Sequence, residues 1–132
     1  MTPIIIQKRL TLLADQVLLR RYAKHVVGFW FHAELLRRAA IQNGSRISFR
    51  CVDDGTFLEL STSSHGRAPH IHFRTDSYAT VRITSFGLHA WLKACPDHQT
   101  IRTCLLSKPG SLQIRIYDPL QEPFSKLEYL LC

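Results

Sequence analysis

The chain has 132 residues, 45% of them hydrophobic, with six glycines and six prolines, which fits one globular domain and argues against disorder. Its formal net charge is +7, so a partner carrying negative charge is favoured. No apolar run approaches the ~18–20 residues of a membrane-spanning helix. Ile4–Ile6 is not preceded by a basic stretch, so a secretory signal is not expected and a cytoplasmic protein is.

Ile4–Ile6 is β-branched and reads as a short edge strand. From Leu10 to Val27 the apolar positions Leu10, Leu13, Val17, Leu18, Tyr22 and Val26 fall near one face at helical spacing, which predicts an N-terminal helix. Phe31–Ala40 reads as a short helix with Leu35, Leu36 and Ala39 facing in. Gln42-Asn43-Gly44-Ser45 is a stop, because Asn and Gly tolerate positive φ. Arg46–Val52 alternates polar and apolar residues, Asp53-Asp54-Gly55 is a hairpin turn, and Thr56–Ser61 returns as the second strand. Strands are expected over Pro69–Arg74, Ala79–Thr84, Ile101–Leu106 and Leu112–Tyr117. A helix is expected over Phe86–Cys95 and a short apolar segment over Leu127–Leu131.

The charge is unevenly placed. Residues 1–50 hold nine basic and two acidic side chains, while residues 51–132 hold eight of each. A basic field confined to one stretch suits a polyanion. Arg20, Arg21, Lys24, Arg37, Arg38, Arg46 and Arg50 are the candidate phosphate contacts, and Arg82 is added from a later strand. Phe29, Trp30 and Phe31 lie beside them. Aromatic residues interleaved with basic ones suit base stacking, although three in a row also suit a core.

The order strand, short helix, turn, strand, hairpin turn, strand occurs twice, over residues 26–61 and 80–117, after an N-terminal segment of residues 1–25. The expected fold is therefore α+β, a single domain with a small, mostly antiparallel β-barrel or sheet built from two such repeats and preceded by a helix. Within the first repeat, the run from Leu35 to Ile47 (LLRRAAIQNGSRI) resembles the AbrB/MazE/SpoVT swapped-hairpin family. Val81-Arg82-Ile83-Thr84 followed by Trp91-Leu92-Lys93-Ala94 resembles its SymE-like branch. The resemblance implies a transcription regulator, an antitoxin-like factor or a SymE-like toxin. It also implies a homodimer and DNA, in preference to RNA, as the partner.

His70-Ile71-His72 places two imidazoles on one face of a strand, as a metal site requires, and His65 offers a third nitrogen but from a loop. No cofactor or metal is expected. No phosphate-binding glycine loop is present and no nucleophile motif stands out, so an enzyme is not expected. Cys51, Cys95, Cys104 and Cys132 form no CxxC pair and are expected as reduced thiols. The competing reading is a protein inhibitor or immunity-type factor that turns the basic face toward an acidic protein.

Overall fold

The computed structural model describes residues 3–7, 10–23, 25–53, 56–84 and 99–116. The expected helix at Phe86–Cys95, the segment Leu127–Leu131 and the candidate contact Lys24 lie outside these residues.

The described chain is mostly antiparallel β-structure with one short helix, which corrects the α+β expectation. Strands β1 (Ile4–Gln7) and β2 (Leu10–Leu12) form a separate two-stranded ribbon. The other strands are β3 (Gln16–Ala23), β4 (Val26–His32), β5 (Ile47–Val52), β6 (Phe57–Thr62), β7 (His72–Phe73), β8 (Tyr78–Thr84), β9 (Gln99–Leu106) and β10 (Ser111–Arg115). They make one curled eight-stranded sheet in the order β5-β6-β10-β9-β3-β4-β8-β7.

The N-terminal helix is absent for identifiable reasons. Ala14 and Asp15 form a turn in which the Gln16 amide donates to the Leu13 carbonyl at 3.1 Å. The Gln16 side-chain oxygen in turn accepts from the Leu13 amide. Beyond that turn the residues obey a period of two as well as they obey 3.6. Val17 and Leu19 face the main core, while Leu18 faces a second cluster with Leu12. A strand covered on both faces reads as a continuous apolar run, which periodicity alone does not separate from a helix. The β-branched and aromatic residues of the following β4, Val26, Val27, Phe29, Trp30 and Phe31, favour the extended state that β3 then pairs with.

The other expected strands form near their predicted places. The Arg46–Ser61 hairpin is β5 and β6, and Thr56 donates to the Asp53 carbonyl across its turn at 3.0 Å. The short helix is α1 (Ala33–Arg38). His32 caps it by accepting from the Glu34 amide at 3.3 Å, and Leu35 and Leu36 seat it on the inner face of the sheet.

One core fills the curl. Phe29 and Phe31 stack at 6.2 Å between ring centres, and Phe49 meets Phe29 at 5.4 Å. Leu58, Leu60, Leu112 and Ile114 close it from the far strands. The two edges of the sheet meet at one end. Ile47 donates to the Pro69 carbonyl and Ile71 to the Ser45 carbonyl, both at 2.8 Å, and Arg46 and His70 form an isolated bridge. Of the described cysteines, Cys104 is a buried free thiol on β9. Burial, helped by the nearby Asp15 charge, pushes that thiol well above its ordinary pKa and leaves it unreactive. Cys51 is disulfide-bonded, which departs from the expectation of reduced thiols throughout.

Two outcomes follow for stability. Phe29→Ala should cost about 3–5 kcal/mol, read from the midpoint of urea unfolding, because Phe29 is fully buried between Phe31 and Phe49. The second concerns Glu59 on β6, which accepts from Arg50 at 2.8 Å and from Gln113 at 3.3 Å. Burial pushes the Glu59 carboxyl pKa up, but these partners outweigh it and hold the pKa below its ordinary value. A depressed carboxylate pKa gives stability that is present above the unfolded-state value and lost as pH falls. The stability advantage of wild type over Glu59→Gln should therefore be full at neutral pH and vanish as pH falls below the ordinary glutamate range. Arg50 is largely exposed, so the advantage should stay within about 1 kcal/mol.

Candidate nucleic-acid interface

Alternation along three neighbouring strands builds one chemically distinct surface. On β4 the residues Val27, Phe29 and Phe31 point into the core, so Gly28 and Trp30 point outward. On β3 the outward positions are Arg20 and Tyr22. On β8 they are Tyr78, Thr80 and Arg82, because Ala79, Val81 and Ile83 are buried in the core. Register aligns these positions across the sheet. Arg20 and Arg82 flank Gly28 in one row, while Leu18, Trp30, Thr80 and His72 form the next.

The side chains on this face are ordered against one another. The Arg82 guanidinium lies 4.1 Å from the centre of the Tyr22 ring. Tyr22 and Trp30 are tilted at 39° with their centres 5.8 Å apart. The Arg20 guanidinium lies 5.2 Å from the Trp30 ring and donates to the Gln99 side chain at 3.0 Å. The result is a row of cation, ring, ring, cation, in which each arginine is attracted to the negative face of its ring. Arg74, in the bend before β8, donates to the Thr80 hydroxyl at 3.0 Å and so joins the row from the side.

Gly28 makes the row possible. A Cβ at this position would lie 2.6 Å from Cε2 of Tyr22 and 3.0 Å from the Trp30 ring. The missing side chain is the space into which the two rings lean. Beside it is a shallow hollow of about 280 Å³ lined by Tyr22, Trp30, Arg74, Tyr78 and Arg82, among others. A second, of about 330 Å³, continues past Arg74 and Arg82 to His70 and His72. Among the described residues no acidic side chain lines either hollow.

The sequence-predicted contacts are only partly gathered here. Arg20 and Arg82 converge on this face. Arg21 alternates with them and leaves β3 on the opposite side, half-buried. Arg37 and Arg38 are exposed on α1, which packs on the inner side of the sheet. Arg37 pairs with Glu34 at 3.4 Å, donates to the Asp76 carbonyl and lies over Phe73, a ring facing the inner side. Arg46 donates to the Ala68 carbonyl at 2.6 Å and serves the join between the sheet edges. Arg50 is committed to Glu59 at 2.8 Å.

The residues that sequence reasoning missed are Tyr22, Arg74, Tyr78 and Thr80. The alternation of Tyr78, Thr80 and Arg82 was a usable signal, whereas Arg74 reaches the face only through its bend. In the sequence, the run Phe29-Trp30-Phe31 does not set Trp30 apart from its neighbours. The strand separates it from Phe29 and Phe31, which are the main core, and leaves it half-buried on the outer side against Leu12 and Leu18. His70 and His72 are both exposed at the end of the second hollow. Among the described residues no three histidines, cysteines or carboxylates cluster as a metal site would require. No helix of the described chain is long and apolar enough to cross a membrane.

No family model, no curated protein and no solved structure matches the chain.

Gly28→Ala tests the origin of the aromatic pair. Tyr22 is 40% exposed and can swing away, so stability should change by no more than about 1 kcal/mol. The near-ultraviolet circular dichroism of the Tyr22–Trp30 pair should change clearly. An unaltered spectrum would mean that the glycine does not set the ring packing.

Proposed function

We propose that the protein is a nucleic-acid-binding regulatory protein that meets the phosphate backbone through the outer face of β3, β4 and β8. The observation that carries this reading is the row Arg82, Tyr22, Trp30, Arg20, set in a surface whose hollows contain no acidic side chain among the described residues. Arginines draw in phosphates and release their counterions, and aromatic rings offer sequence-tolerant contact to bases. The action is cytoplasmic in this reading. The transcription-regulator or antitoxin-like role and the homodimeric state are taken from the resemblance of residues 28–61 and 81–94 to the swapped-hairpin family.

Spatial grouping revises which charges matter most. The excess charge of residues 1–50 is spread over both sides of the sheet. Arg20, Arg74 and Arg82 form the group that a polyanion meets together.

Binding measured against salt concentration tests the reading. The logarithm of the association constant should fall linearly with the logarithm of salt, and replacing Arg82 by Ala should reduce that slope by about one. Charge reversal at Arg20 and Arg82 together should weaken binding at least about tenfold more than reversal at Arg37 and Arg38. Equal losses would place the contact elsewhere. A tight one-to-one complex with an acidic protein that survives nuclease, without binding to nucleic acid at low salt, would favour the inhibitor reading instead.

A further inference from the structure

Resting on the nucleic-acid reading above, we propose that the outer face binds single-stranded nucleic acid, with bases stacked against Tyr22 and Trp30 and phosphates held by Arg20, Arg74 and Arg82. Two sources share this chemistry, single-stranded DNA and single-stranded RNA.

The first argument is dimensional. Strands β3, β4 and β8 lie inside the sheet, flanked by β9 and β7. Five strands at ~4.8 Å spacing make a sheet roughly 19 Å across, and Leu12 covers part of its outer face where it packs with Leu18, Trp30, Tyr78 and Ile101. The major groove of a duplex is about 12 Å wide and admits a helix or a two-stranded ribbon. A broad sheet face does not enter it. The helix among the described residues is on the other side of the sheet and is only six residues long.

The second argument concerns what the rings can touch. In a duplex the π-faces of the bases are covered by their neighbours. An aromatic side chain reaches them only when the strand is unstacked. Tyr22 is 40% exposed, and contacts with Arg82 and Trp30 orient its ring. A ring already oriented loses little freedom when a base arrives. A hollow of about 280 Å³ beside it lies just below the range of ordinary small-molecule pockets, which suits a single base. The second hollow shares Arg74, Thr80 and Arg82 with the first and extends the track.

The third argument concerns selectivity. Among the described residues no Asn, Gln, Asp or Glu lines either hollow. The hydroxyl of Thr80 is already engaged by Arg74. His70 and His72 can reach base edges in the second hollow, but the rings of the first stack on any base, so binding there tolerates sequence.

The experiment uses the full chain and fluorescence anisotropy with labelled oligo-dT, oligo-U and a mixed-sequence duplex, each about twelve nucleotides or base pairs long. The single strands should bind more tightly than the duplex at the same salt. Tyr22→Ala should weaken single-strand binding about 5- to 100-fold with the salt slope unchanged, and Tyr22→Phe should restore it. Tyr22→Leu keeps the apolar contact with Trp30 without an aromatic face, and should behave as the alanine variant does. Better binding of oligo-dT or of oligo-U identifies the source, and equal binding assigns both. Duplex binding equal to or tighter than that of the single strands, or no effect of Tyr22→Ala and Tyr22→Leu, overturns the single-strand proposal and leaves the nucleic-acid reading standing. Failure of all three probes to bind at low salt overturns that reading itself.

Discussion

The pairing of β4 between β3 and β8 is the constraint on which most of the molecule depends. It fixes the alternation that buries Phe29 and Phe31 and turns Gly28 and Trp30 outward. The same register sets Arg20 and Arg82 on either side of Gly28. A slip of one residue would exchange the two faces, putting Trp30 into the core and a phenylalanine among the arginines. Core and surface are therefore specified together, by one strand of seven residues.

Much of the β-structure was legible because local signals agreed. In the Arg46–Thr62 hairpin, alternation and turn chemistry both point to the same two strands. The same holds for β8, β9 and β10. The stretch from Leu10 to Val27 was not legible because its local signals conflict. Leucine spacing there fits a helix, whereas Val17, Tyr22, Val26 and Val27 favour strands, and long-range pairing with β9 decides the outcome. The site was legible in part for a related reason. Arg20 and Arg82 were visible as charges, but their meeting depends on a register between segments about sixty residues apart. Tyr22 could not be assigned to a surface cluster while it was read as one side of a helix.

Charge along the sequence and charge in space are different quantities here. The linear excess lies in the first fifty residues, yet the folded sheet sends Arg20 and Arg21 to opposite faces. It commits Arg46 to a carbonyl and Arg50 to a carboxylate. Arg74 and Arg82, from the neutral part of the chain, complete the group around the aromatic pair.

The hairpin of β9 and β10 lies between β3 and β6, which are joined to nothing else on those sides. This has a consequence for how the chain reaches its final form. Synthesis delivers β3 to β8 first, and by then β5 to β8 can assemble through contacts close in sequence. Two long strand edges stay open until the residues after Gln99 arrive. The last hairpin must enter as a wedge, hydrogen-bonding on both flanks at once, and its bonds to β3 close a loop of some eighty residues. Such late, non-local closure is slow. Until it occurs, the nascent chain offers unpaired ladders to any strand nearby, including those of its own copies.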